Sequence, residues 1–116
     1  MSLQEISHLL RIEVRDDHTV LVAEADDGSG ETASEIILDE EIGNTDGYFV
    51  RGDGNFTQSA GDIELDSRDD GPWLTATLNN VDGEPGEPQG INLAHHIESQ
   101  DGQLVWVVSW LPKLWF

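Results

Sequence analysis

Residues 36–47 of this 116-residue chain read IILDEEIGNTDG, and residues 91–102 read INLAHHIESQDG. The two stretches lie 55 positions apart and share two isoleucines, a leucine and a closing Asp-Gly pair. Asp27-Gly28 and Val50 recur with the same offset at residues 82–83 and 105. Such repetition indicates two imperfect copies of one structural unit.

Apolar and polar side chains alternate with a period of two within each copy, as in Leu74, Ala76 and Leu78 with threonines between them. This alternation is typical of β-strands with one buried face. We predict an all-β fold whose strands include residues 12–14, 20–25, 35–38, 48–51, 63–66, 73–78, 90–93 and 104–108, separated by Asp-Gly and Pro-Gly turns.

Helix has little room in this pattern. Single helical turns are predicted at residues 39–42, 57–60 and 94–97, with Asp39 as the N-cap of the first. A copy of about 50 residues without cysteine is too small to be stable alone. We therefore expect the two halves to share one core.

Composition excludes several classes of partner. Five Lys and Arg against 24 Asp and Glu give a net charge of −19, which repels nucleic acid and anionic membranes. The absence of cysteine excludes disulfides and thiolate chemistry. Since residues 1–5 show no basic or apolar leader pattern, we expect a cytoplasmic location.

The doubled motif, together with the segment GNFTQS at residues 54–59, resembles the cyanovirin-N family over nearly the whole chain. The resemblance implies a pseudo-twofold, all-β fold in which the repeats exchange strands. Residues 1–41 with 97–116 would form pseudo-domain A, and residues 42–96 pseudo-domain B. It further implies a lectin that binds high-mannose glycans or glycoproteins through terminal α1,2-linked mannose.

The alignment places apolar residues where better-known family members have two disulfides. These pairs are Leu10 with Ala25 and Ala60 with Leu78. One large and one small side chain in each pair would fill the space of a bridge without a cavity or overpacking.

The resemblance places the main sugar site in pseudo-domain B, where residues that align with the family's second-repeat pocket have short amide, carboxylate and hydroxyl groups that pair well with vicinal sugar hydroxyls. Its candidate residues are Asn44, Thr45, Asp46, Asn55, Gln58, Ser59, Asn79, Asn80 and Val81. A weak or absent second site in pseudo-domain A would use His8, Asp26, Ser99, Gln100 and Asp101. There Ser99 replaces asparagine, Leu9 replaces a hydroxyl and Gly28 has no side chain.

The sequence gives little support to an enzyme or a metal-binding protein. Any chain with 24 acidic residues contains carboxylate pairs, so a glycosidase is not indicated, and we predict no enzyme activity, cofactor or catalytic residue. His95 and His96 would point about 100° apart, and no EF-hand motif occurs, so no metal site is predicted. A scaffold or protein-interaction module without sugar affinity is the alternative, and a calcium-dependent module is a weaker one.

The hinge between the repeats and the C-terminal segment carry three further features. Arg51-Gly52-Asp53 spells an integrin-type tripeptide, which we interpret as a chance occurrence in the hinge between the repeats. The same glycine-rich hinge predicts a monomer that forms domain-swapped dimers under some conditions. The apolar residues 108–116 are expected to pack over an apolar patch, with partner binding as the alternative.

Overall fold

The computed structural model describes residues 3–25 and 28–107, and these form ten short strands and four 3₁₀ turns. The strands are β1 (Leu10–Arg15), β2 (His18–Glu24), β3 (Thr32–Ile37), β4 (Ile42–Thr45), β5 (Tyr48–Arg51), β6 (Ala60–Arg68), β7 (Gly71–Asn79), β8 (Pro85–Asn92), β9 (Ile97–Gln100) and β10 (Gln103–Trp106). The 3₁₀ turns span Ser7–Leu9, Leu38–Glu40, Phe56–Ser59 and Leu93–His95.

Each repeat contributes one three-stranded antiparallel sheet and one two-stranded hairpin. The sheets are β1-β2-β3 and β6-β7-β8, and the hairpins are β4-β5 and β9-β10. The hairpins cross over: β5 of the first repeat contacts β8, and β10 of the second repeat contacts β3. The predicted all-β class with only single helical turns is confirmed.

Both hairpins close through two-residue turns at equivalent positions, Asp46–Gly47 and Asp101–Gly102. All four residues have positive φ, from 51° at Asp46 to 89° at Gly47. A type I′ turn requires this conformation twice in succession, and Asp-Gly adopts it at low cost. The sequence therefore specifies the turns, but it does not predict strands β4 and β9, whose first residues, Ile42 and Ile97, fall in the predicted single helical turns.

One apolar core joins the two repeats, as predicted. Leu21 and Leu38 of the first repeat and Leu74 and Leu93 of the second are all fully buried in the same cluster. Phe56, from the segment between the repeats, is also fully buried and meets Phe49 edge to face, with ring centroids 5.6 Å apart. Because the core draws on both copies, neither half has a complete core of its own.

The two apolar pairs predicted at the family's disulfide positions differ in how the strands align them. Ala60 lies directly opposite Leu78 in the β6–β7 ladder, which confirms the second pair. Leu10 lies opposite Ala23, and Ala25 lies one residue beyond the end of β2, so the register does not place Leu10 directly opposite Ala25.

The prediction that Asp39 is the N-cap of a helical turn is wrong. The N-cap position belongs to Ile37, and Asp39 is the second residue of the turn, only 3% exposed. Its carboxylate accepts hydrogen bonds from the Thr19 N–H at 2.7 Å, the Thr57 N–H at 3.0 Å and the Thr57 hydroxyl at 2.7 Å. This buried carboxylate thus joins β2 to the segment that begins the second repeat.

The helical elements among the described residues have three or four residues each, and none is long and apolar enough to cross a membrane. The apolar segment at residues 108–116, predicted to pack over an apolar patch or bind a partner, lies outside the described residues.

Candidate functional site

The Asn44 side chain is the centre of a hydrogen-bonded frame in pseudo-domain B. Its Nδ2 donates to the Ser59 Oγ at 2.8 Å and to the Asn79 carbonyl at 2.9 Å. Its Oδ1 accepts from the Gly47 N–H at 2.9 Å. Asn44 therefore fixes β4, the 3₁₀ turn Phe56–Ser59 and the end of β7 relative to one another. Its amide is engaged within the protein, so it organises the site rather than presenting itself to a ligand.

A second link holds the β4–β5 turn against the turn after β7. The Asp46 Oδ1 accepts from the Val81 N–H at 3.0 Å. The Asn80 Oδ1 accepts from the Asp82 N–H at 3.0 Å and the Glu84 N–H at 3.2 Å, which stabilises that turn internally. Two loops that would otherwise move independently are thereby held in one geometry, which lowers the entropy lost when a ligand binds.

Exposed polar side chains lie around this frame. Asn55 and Gln58 are exposed at the start and in the middle of the turn that Asn44 holds, and Thr45 is exposed at the end of β4. Asn55 has φ 61° and ψ 33°, a left-handed conformation that asparagine tolerates better than most residues. Its backbone pairs with Gly43 of β4, so its amide stands beside the frame.

The structure thus brings the predicted residues of the main site into one surface region. Hydrogen bonds join Asn44 to Ser59 and to Asn79. A separate hydrogen bond joins Asp46 to Val81. Thr45, Asn55, Gln58 and Asn80 adjoin these residues along the chain or through the Gly43–Asn55 bridge. Asn44 and Asp46 are both predicted sugar ligands, and each has at least one side-chain atom hydrogen-bonded within the frame.

A concave surface that sequence reasoning missed lies on the other side of the β4–β5 turn. It has a volume of about 320 Å³ and is lined by Asp46, Gly47, Tyr48, Asn80, Gly86, Glu87 and Gln89. Tyr48 is 62% exposed, although it is a large aromatic residue. The available signal was the period-two alternation of β5, which turns Phe49 toward the core and Tyr48 toward solvent. We name this surface the Tyr48 groove.

Pseudo-domain A carries a cavity of about 340 Å³ at the equivalent end of its hairpin. Its lining is largely apolar, and consists of Ile6, Leu9, Ala23, Glu24, Ala25, Ala33, Ser99, Asp101 and Gly102. Of the predicted second site, Ser99 and Asp101 line this cavity, whereas the exposed His8 and Gln100 are not among its lining residues. Asp26 lies outside the described residues.

Charge at both surfaces is negative or neutral. The arginines in the described part of the chain are 11, 15, 51 and 68, and each is ion-paired with at least one carboxylate. Within residues 3–25 and 28–107, no three His, Asp or Glu side chains are grouped to hold a metal ion. The pseudo-domain B surface therefore has hydrogen-bonding groups but no cation to attract an anionic ligand.

Arg51 of the Arg-Gly-Asp tripeptide is committed to the interior of the protein, with its side chain only 14% exposed. It pairs with Glu41 at 3.2 Å, donates to the Val107 carbonyl at 2.8 Å and lies 4.9 Å from the Trp106 ring centroid. It also contacts the His96 Nδ1 at 3.3 Å. Burial, with help from this guanidinium, holds the pKa of His96 below its ordinary value. The arginine is therefore not displayed for a receptor.

Together these features define a class of protein: a pseudo-symmetric, all-β domain whose hairpins are exchanged between halves and whose surface concavities lie beside the two Asp-Gly turns. The sequence model of one family, described as the CVNH domain, matches residues 6–105. A cyanovirin-N homolog of Neurospora crassa is 37% identical over 108 residues, which are 89% of this chain and 96% of that relative.

Solved structures agree with this match. The structure of the Gibberella zeae CVNH protein is 36% identical, covers 90% of this chain and 99% of its own, and superimposes with a TM-score of 0.66. Microvirin, solved in a complex with mannobiose, is 33% identical over 88% of this chain and 97% of its own, also with a TM-score of 0.66. The chain belongs to the CVNH family, a family of carbohydrate-binding lectins and not of enzymes.

Proposed function

We propose that this protein binds high-mannose glycans, through terminal α1,2-linked mannose, at one main site in pseudo-domain B. The observation that carries the proposal is the frame around Asn44, which holds three chain segments and places exposed side chains at its edge. Asn55 and Gln58 supply amides that both donate and accept, and Thr45 supplies a hydroxyl. A hexose presents hydroxyls with the same dual capacity.

The preference for a neutral sugar follows from charge. Asp46 lies at the site and no arginine among the described residues is unpaired, so sialylated or sulfated glycans would meet only repulsion. Microvirin supports the mannose assignment by resemblance, because it binds mannobiose and is 33% identical to this chain.

One main site is proposed because the two halves differ in polarity. The pseudo-domain A cavity is lined by Ile6, Leu9 and three alanines beside Glu24, Ser99 and Asp101, so fewer of its side chains can hydrogen-bond to sugar hydroxyls. Each missing hydrogen bond costs about 0.5–1.5 kcal/mol, so the loss of one or two weakens binding by roughly two- to over a hundredfold. A monomer with one strong site should not cross-link branched glycans efficiently.

Titration of ¹⁵N-labelled protein with α1,2-mannobiose tests the proposal. Gln58→Ala and Asn55→Gly are the appropriate variants, because glycine retains the left-handed backbone at position 55 whereas alanine would strain it. Both should weaken the amide shifts around residues 44–46 and 55–59, and Gln103→Ala on the other hairpin should not. Asn44→Ala is unsuitable, since it would remove the frame itself.

The alternative outcomes discriminate between hypotheses. Shifts that map to Ser99 and Asp101 would place the main site in pseudo-domain A. No shifts at millimolar mannobiose would refute sugar binding and favour the scaffold hypothesis.

A further inference from the structure

We propose that the Tyr48 groove is an extension subsite for a further pyranose unit of a neutral oligosaccharide, with the Tyr48 ring as its stacking platform. This inference rests on the proposed sugar binding in pseudo-domain B. It differs from that proposal because Tyr48, Glu87 and Gln89 lie outside the residues assigned to the main site.

The groove adjoins the main site and shares its rigid border. Asp46 and Asn80 belong to both surfaces, and their hydrogen bonds to Val81, Asp82 and Glu84 hold the border in place. A glycan whose terminal residues occupy the main site can therefore pass over this border into the groove without a change in the protein backbone.

The floor of the groove consists of two glycines in close approach. A Cβ at Gly86 would lie 3.1 Å from the Leu78 carbonyl and 3.9 Å from the Gly47 Cα. The β4–β5 turn thus packs directly on the start of β8. Its volume of about 320 Å³ is at the lower end of the range of roughly 300–1,000 Å³ for small-ligand sites.

The walls have the chemistry that a neutral sugar requires. Tyr48 lines the groove and is 62% exposed, and its aromatic ring is of the kind that stacks on the C–H edge of a pyranose. The amides of Gln89 and Asn80 and the carboxylates of Glu87 and Asp46 provide hydrogen-bonding groups for hydroxyls. The two carboxylates disfavour an anionic ligand.

The other repeat lacks this arrangement. At the 55-residue offset, Tyr48 corresponds to Gln103, Glu87 to Thr32 and Gln89 to Ser34. The Ser34 hydroxyl accepts from the Leu104 N–H at 2.9 Å, so it already serves the packing of β10 on β3. The position of the Tyr48 ring is therefore occupied by glutamine in the other hairpin, and Gln103 is the matched control position.

The test compares α1,2-mannobiose with α1,2-mannotriose by NMR titration of wild type, Tyr48→Ala, Tyr48→Phe and Gln103→Ala. If an aromatic contact is worth about 0.5–1.5 kcal/mol, Tyr48→Ala should weaken mannotriose binding roughly two- to tenfold. Mannobiose binding should change less, Tyr48→Phe should retain most of the triose affinity, and Gln103→Ala should match wild type for both.

The result separates failure of the subsite from failure of the main site. If Gln58→Ala weakens mannobiose binding but Tyr48→Ala binds the triose as wild type does, the extension subsite is wrong and the main site stands. If neither sugar shifts any amide in wild-type protein, both are wrong.

Discussion

Replacement of Asp39 by alanine should destabilise the protein more than the removal of any exposed charged side chain. The residue is 3% exposed, and its carboxylate is the acceptor for three donors on two different segments. Alanine removes the acceptor but leaves the donors where they are. The expected cost is therefore the desolvation of those donors, not merely the value of the lost hydrogen bonds.

The magnitude follows from how well water can reach each donor. Thr19 is fully buried, so leaving its N–H unpaired costs about 1–3 kcal/mol. The N–H and hydroxyl of Thr57 are half-buried and can partly recover water, which gives about 0.5–1.5 kcal/mol each. The sum is roughly 2–6 kcal/mol, a large part of the 5–15 kcal/mol that stabilises a typical domain.

Urea denaturation followed by tryptophan fluorescence measures this loss. With an m-value of about 1–3 kcal/mol/M, a loss of about 4 kcal/mol lowers the midpoint by roughly 1.3–4 M. Glu40→Ala is the matched control, because it removes the same charge from the next residue, which is exposed on the same 3₁₀ turn. If Asp39→Ala unfolds within about 1 kcal/mol of Glu40→Ala, the buried carboxylate does not bridge the halves as described.

Three other predictions concern the hinge and the core. Acidification from about pH 7.5 to 5.5 should lower the free energy of unfolding, because the unfolded chain protonates His96 near its ordinary pKa of about 6.5 while the folded chain, with its lowered pKa, resists protonation. Urea titrations at several pH values in that range should show that the free energy of unfolding depends less on pH in His96→Gln than in wild type. An equal pH dependence would contradict this. Arg51→Lys should cost about 1–2 kcal/mol in the same assay, since lysine cannot serve Glu41, Val107 and the Trp106 ring together; no loss would show that charge alone suffices. Phe56→Ala, at a fully buried ring, should cost about 3–5 kcal/mol and abolish cooperative thermal unfolding if total stability is low.

The sequence predicted those parts of the fold that are encoded locally. Asp46–Gly47 and Asp101–Gly102 form their turns because of backbone preferences carried by the two residues themselves. The alternation around Leu74 likewise specifies β7 and its buried face. The Ala60–Leu78 pair came from the family alignment, which supplied a register that local patterns do not contain.

Strand limits and side-chain roles that depend on distant segments could not be predicted. β8 begins at Pro85 rather than residue 90, because prolines are tolerated on an edge strand that pairs only with β7. The partners of Asp39 come from positions 19 and 57, so a local rule assigned it to capping. Gln89 of the Tyr48 groove was missed for the same reason as the start of β8.

The two repeats differ at a pair of positions whose side-chain and backbone groups depend on each other. In the first half the Thr19 N–H needs an acceptor and Asp39 supplies it. At the corresponding places the second half has Pro72, which has no N–H, and Ala94, which has no carboxylate. Ala94→Asp alone would therefore bury a charge without that donor. The donor and the acceptor must therefore change together. A single substitution at either position would leave a buried polar group without its partner.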